Sequence, residues 1–322
     1  MNLKSKIKSF VTNLKRFRED HRKFKISDIR YYNFWALSKS VDCWFTKFIE
    51  HRNLNPNNKT INFFSVYGAP QVSYLTKSPK IFFTGENIFN SDYKTPYNSY
   101  HRNYIKNYNL SLGFNDETNE KYMRFPLWIL YIIPADANYE AIKDLIDQYN
   151  NSDFRLNQKR KNFCANISRL DNIGIRKKII ENLNPIHQVM CAGSFMKNTK
   201  ELQEKFNDNK IEYLKTFKFN ICPENSNTKG YVTEKLFEAI TSGTIPIYWG
   251  SNNNPEPAII NQEAILFFDE NNPQELINQV NLLWNDEEAY QDFCRRKPFK
   301  DNAAEEIWKI LNQLSHQLEK TI

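Results

Sequence analysis

The chain has 322 residues, of which 40% are hydrophobic and 15% aromatic, enough to bury a core, so disorder is not the default reading. The formal charge is +7, and residues 1–25 carry all of it, with nine Lys and Arg against Glu19 and Asp20. Residues 26–322 therefore balance at zero, which excludes nucleic acid as a partner of the body on charge grounds.

In residues 3–17, Leu3, Ile7, Phe10, Val11, Leu14 and Phe17 recur at helical spacing with lysines between them. Two readings of this basic amphipathic helix stand side by side. It lies on an anionic membrane surface, or it packs on the protein's own body or trails in solvent. The segment has the positive charge of a signal peptide without the apolar core that must follow. No apolar stretch approaches the roughly 18–20 residues that span a bilayer.

From residue 28 on, short apolar runs alternate with helical patterns. "TINFFSV" (60–66) and "KIFFT" (80–84) read as buried strands, while "PLWILYIIP" (126–134) suits either a strand or a buried helix. A helix follows over 138–149, and the polar stretch 150–162 reads as a linker. A second series comprises strand 163–167, helix 175–183, strand 187–191, strand 218–222, helix 232–242 and strands 244–249 and 264–268. A further helix begins at Pro273, with Asn272 as N-cap and Glu275 completing a capping box. Two series of this kind predict an α/β protein with two Rossmann-like domains facing a cleft, ligands lying beyond the carboxyl ends of the strands. The expected segments are 1–25, an acceptor-binding domain 26–155, a donor-binding domain 156–300 and a C-terminal helix 301–322.

Cys43, Cys164, Cys191, Cys222 and Cys294 are odd in number and widely spaced, with no C-x-x-C pair. They suggest neither a disulfide framework nor a zinc site, and predict buried thiols in a reducing cytoplasm.

The chemistry concentrates in "KFNICPENSNTKGYVTEKLFEAITSGTIPIYWGS" (218–251). A strand ends, a loop runs through Glu224 and Asn225, and a helix begins near Val232. Free amides and the helix dipole at such a start suit a phosphate. Lys235 is unfavourable there for the dipole alone, so a bound anion explains it better. Glu234 can accept hydrogen bonds from ribose hydroxyls. A pair on a solvated helix face is the commoner fate of Glu and Lys, but adjacent residues cannot pair along a helix. The stretch therefore reads as a nucleotide diphosphate pocket.

Residues 217–251 resemble the donor-binding signature of the α-1,3/4-fucosyltransferases, glycosyltransferase family ten, bacterial type. The matching pieces are the "KFN" strand, the Glu-Asn pair, "GYVTEK" and the helix running to "TIPIYWG". Weaker resemblances are "FFTGENI" (82–88), "NEKYMRFPLW" (119–128) and "FCANIS…IRKKI" (163–179), whereas residues 1–25 have no counterpart.

The resemblance implies a GT-B fold and inverting transfer of L-fucose from GDP-β-L-fucose to a sugar hydroxyl. The expected linkage is α-1,3 to GlcNAc of an N-acetyllactosamine-like acceptor in surface polysaccharide or lipopolysaccharide. It implies Glu86 as general base, with Arg176, Asn225, Tyr231, Glu234 and Lys235 binding the donor. Arg176 and Lys235 would neutralise the charge on departing GDP. No Asp-x-Asp motif is present, so no metal is expected to be essential, a divalent ion being at most stimulatory. Trp35 and Arg124 match family positions at which packing is the expected role. Pro223 stands where the family usually has an aromatic residue, and "SNTK" replaces a Gly-containing loop, so the backbone near the sugar is expected to differ. The expected location is the cytoplasm, with peripheral attachment to the inner face of the membrane if residues 1–25 bind lipid. The alternatives are the same fold with another nucleotide-activated sugar, or a catalytically inactive, membrane-bound glycan-binding protein.

Overall fold

Runs of two to five residues form the strands, and those of the sheet interiors are apolar and buried along nearly their whole length, the pattern of parallel sheets. The computed structural model describes residues 8, 11–19, 28–35, 43–77, 79–89, 96–156 and 160–322. It divides into two compact units, Met1–Ala137 with Lys309–Ile322, and Asn138–Trp308.

In the first unit β1 (Ile29–Tyr32), β2 (Ile61–Phe64), β3 (Lys80–Phe83), β4 (Leu110–Gly113) and β5 (Tyr122–Arg124) form one parallel sheet in that order. The predicted strands 60–66 and 80–84 are β2 and β3; β1, β4 and β5 are additions. Helix α1 (Trp44–His51) covers one face, with Phe45 stacked on Phe63 at 5.0 Å and edge-on to Phe83 at 5.1 Å. The run 126–134 resolves as a short helix, Ile129–Ile132, preceded by fully buried Trp128. On the other face Tyr32, Phe64, Phe82, Tyr100 and Tyr108 pack together. Residues 11–19 are helical, and Phe17 stacks on Tyr32 at 5.2 Å, so this residue packs on the protein's own body. Most of the remainder of the expected basic helix lies outside the described residues.

In the second unit β6 (Asn162–Asn166), β7 (Val189–Cys191), β8 (Phe217–Ile221), β9 (Ile245–Tyr248) and β10 (Leu266–Phe267) are again all parallel, in the order β10-β9-β8-β6-β7. Its helices include α2 (Tyr139–Asn150), α3 (Ile175–Leu183), α4 (Lys210–Leu214), α5 (Glu234–Ser242), α6 (Pro273–Asn285) and α7 (Glu287–Cys294), and α8 (Ala303–Thr321) starts here while its residues from Lys309 on cluster with the first unit. Strand order reverses between β6 and β8. After β6 the chain crosses to β7 on one side, and after β8 it crosses to β9 on the other. The loops leaving β6 and β8 therefore diverge, which opens a crevice at their carboxyl ends.

Three expectations change. Helix α2, expected in the first domain, clusters with the second unit. There the Asn150 side chain donates to Phe299 O at 3.1 Å and accepts from Phe299 N at 2.9 Å, and Tyr149 packs against Phe154 and Phe299. Stretch 150–162 is no solvated linker throughout: it holds a helix, Ser152–Leu156, and two buried arginines. Arg160 donates to Lys215 O, Phe217 O and Ser242 O, tying the start of β8 to the end of α5. The capping box at α6 does not form. Asn272 is the N-cap residue but makes no side-chain cap, and its amide instead donates to the Glu275 carboxylate at 3.4 Å. All five cysteines are buried free thiols.

Candidate functional site

The loops that leave β6 and β8 bring the predicted donor residues together. Arg176 is the second residue of α3, whose N-cap Gly174 turns the chain into the helix with a φ of 79°. It is only 5% exposed, which is tolerable for a guanidinium only when its donors are satisfied. Its Nη2 donates to Pro223 O at 3.0 Å and to Asn225 Oδ1 at 3.1 Å. Asp171 lies 3.9 Å from its Nη1 and accepts from the backbone amides of Arg176 and Lys177. Arg176 and Asn225 thus form one unit across the crevice between β6 and β8.

At the start of α5 the organising group is Glu224, which the sequence reading left unassigned. It is fully buried. Its Oε1 accepts from Thr233 N at 2.7 Å and Tyr248 OH at 3.5 Å, and its Oε2 from Thr233 Oγ1 at 2.7 Å and Lys235 Nζ at 3.3 Å. A carboxylate beside a helix start also complements the helix dipole. Gly250 allows the approach of the β9 loop: its φ is 139°, and a Cβ there would stand 2.8 Å from Cβ and Cγ of Glu224.

Lys235 accordingly has protein partners of its own. Besides Glu224 it donates to Thr233 Oγ1 at 2.8 Å and lies 3.6 Å from Glu234 Oε1. This corrects the expectation that Glu234 and Lys235 cannot pair, since their long side chains converge at the helix start although they are sequence neighbours. It also removes the need for a bound anion to explain Lys235. Burial opposes its charge, but Glu224 and Glu234 outweigh that, and the ammonium is held well above the ordinary lysine range. Arg176 acts in the opposite direction on the same ammonium, so the two cations lie within electrostatic reach of each other. For Glu234 burial again works against the charge, and Lys235, its own backbone amide and Lys210 prevail, lowering its pKa. Tyr231 is buried at 2% exposure on the same loop.

In the first unit Glu86 is half-buried, three residues beyond β3. Thr84 Oγ1 accepts from Glu86 N at 3.0 Å and donates to Glu86 O at 2.8 Å, which fixes the backbone. Tyr67 OH donates to Glu86 Oε1 at 2.9 Å. Trp35 packs edge-on to Tyr67 and Phe83, and Arg124 Nε donates to Phe114 O at 2.9 Å.

Sequence reasoning missed Glu224, Thr233, Asp171 and Tyr67. A signal existed for two of them. Glu224 is the lone acid in a loop of small polar residues, and Tyr67 follows β2 at the distance at which Glu86 follows β3.

Two family models match the chain. "Glycosyltransferase family 10 (fucosyltransferase) C-term" covers residues 156–318, and "Alpha-(1,3)-fucosyltransferase FucT N-terminal domain" covers residues 29–131. An α-(1,3)-fucosyltransferase of Helicobacter pylori is 28% identical over 282 residues, 77% of this chain and 53% of that protein. α-(1,3)-Fucosyltransferase B of Drosophila melanogaster is 24% identical over 238 residues, 67% of this chain and 53% of that one. The chain thus spans about half the length of these curated relatives. A crystal structure of an α1,3-fucosyltransferase aligns with TM-score 0.58 at 21% identity over 89% of both chains, a likeness of fold.

Proposed function

The chain belongs to glycosyltransferase family 10, and from that premise we propose that it transfers L-fucose from GDP-β-L-fucose to a sugar hydroxyl, with inversion. The observation that carries the reading is the pair Arg176 and Lys235. They come from the starts of two helices that follow β6 and β8, at the strand-order reversal where α/β sheets bind ligands. Two fixed cations there suit a diphosphate, and they stabilise the charge that grows on it as the sugar leaves. Asn225 orients Arg176, Glu234 accepts from donor hydroxyls, and Tyr231 shapes the loop. In this reading the cations do the work a metal does elsewhere, and no metal is essential.

Glu86 is the general base that takes the proton of the acceptor hydroxyl. The acceptor is an N-acetyllactosamine-like glycan of surface polysaccharide or lipopolysaccharide, fucosylated α-1,3 on GlcNAc. The enzyme works in the cytoplasm, and its basic N-terminal segment supplies peripheral contact with anionic membrane. Solved α1,3-fucosyltransferases of similar fold have been captured with GDP-fucose and with GDP, which supports the donor.

The test is transfer from labelled GDP-fucose, GDP-mannose and UDP-galactose to N-acetyllactosamine, together with thermal protection by GDP and UDP. Fucose transfer with preferential protection by GDP is expected. Equal protection by both nucleotides, or transfer only from another donor, would overturn the reading.

A further inference from the structure

We infer that Tyr67 is a positioning residue for Glu86, its hydroxyl setting both the direction and the basicity of the carboxylate. The inference rests on the assignment of Glu86 as base made above.

Strands β2 and β3 are parallel neighbours in register, with Phe64 opposite Phe82. Tyr67 and Glu86 each stand three residues beyond the end of their strand, so the sheet delivers them side by side. The resulting O–H···O contact is 2.9 Å. Tyr67 is itself held. Its amide donates to Asn33 O at 2.9 Å, and its ring meets Trp35 edge-on at 6.0 Å and Tyr97 at 5.5 Å. Asn33 is 2% exposed and donates to Ala69 O and Tyr100 OH, which fixes the loop that bears Tyr67. Three layers of contact thus stand behind one carboxylate oxygen.

Burial, then the neighbouring Glu86, pushes the Tyr67 phenol far above its ordinary pKa. The other titratable groups acting on it are the phenols Tyr97 and Tyr131. Tyr67 therefore remains a protonated donor throughout the range in which a carboxylate titrates. A donor to a carboxylate favours its ionised form and lowers its pKa. The phenol thus fixes the oxygen at which the base accepts a proton.

Tyr67→Phe keeps the ring and its packing and removes only the hydroxyl. The experiment is the pH profile of kcat at saturating GDP-fucose and N-acetyllactosamine, with GDP affinity measured alongside. A less well placed carboxylate should lower kcat by about 10- to 100-fold. Because the carboxyl pKa rises when its donor is lost, the acidic limb should move to higher pH while GDP affinity stays at the parental value. A parental profile in a variant of parental stability, with Glu86→Gln inactive, overturns this inference alone. Parental transfer by Glu86→Gln overturns the assignment of the base instead.

Discussion

Glu224 and Glu86 are both loop carboxylates three residues beyond the carboxyl end of a parallel strand, and the two units hold them in opposite ways. Glu224 is fully buried and collects a backbone amide, two hydroxyls and an ammonium. Glu86 is half-buried and takes the hydroxyl of Tyr67. The first arrangement ties a loop to the start of a helix, and the second sets one carboxylate oxygen against a side chain from the loop after the neighbouring strand.

The sharpest way to break the comparison is Glu86→Gln, which keeps shape and removes basicity. Transfer should fall roughly 10²–10⁴-fold, with GDP affinity by calorimetry unchanged. Normal transfer would leave Glu86 as an ordinary loop carboxylate. Next comes Glu224→Ala, which takes one of two carboxylates from Lys235 and leaves the buried Thr233 N without its acceptor, and should cost about 1–3 kcal/mol of stability. Urea unfolding reads it, and a midpoint equal to the parent would deny Glu224 its organising place. Lys235→Ala and Arg176→Ala each remove a charge-assisted contact worth about 1.5–3 kcal/mol, so GDP should bind about 10- to 100-fold more weakly. Full affinity in either variant would remove that residue from the donor site.

The smallest effect concerns pH. Glu234 has a lowered pKa, so its contribution to stability is complete above the unfolded value, about 4.3, and is lost as pH falls through the lower folded value. It is one-fifth exposed, and the contribution should be no more than about 1 kcal/mol. Glu234→Gln should show correspondingly less acid destabilisation in melts between pH 5 and 2, and an unaltered acid profile would mean that its pairing with Lys235 is energetically silent.

The parallel strands of the second unit were legible because burial on both faces favours apolar runs, near-continuous in "TIPIYW" and interrupted by Lys218 and Asn220 in "KFNIC". Strands β1, β4 and β5 were not. "LSLG" in β4 carries a buried serine and ends in glycine, and its extended form depends on ladders to β3 and β5 rather than on its own pattern. Arg155 and Arg160 were hidden for a related reason. Charges in a polar stretch look solvated, yet their acceptors are carbonyls such as Lys215 O and Ser242 O, supplied from distant segments. Most of the residues proposed to bind the donor could be named from the sequence because they crowd into one loop and helix start. Tyr67 meets Glu86, and Tyr248 meets Glu224, only because adjacent strands bring them near, so sequence proximity could not reveal those contacts.

Residues Lys309–Ile322 of α8 cluster with the first unit, where Asn312 and Ser315 receive Arg52 and the Ile322 carbonyl receives Lys59. During synthesis residues 1–137 leave the ribosome long before these contacts can form. The first unit can assemble its sequentially ordered sheet early, because neighbouring strands follow one another along the chain. Its surface near Arg52 and Lys59 then waits, incomplete, for the whole second unit to be translated. That delay makes the nascent first unit the stage most exposed to misassociation, and it means that trimming residues 309–322 should injure the amino-terminal unit.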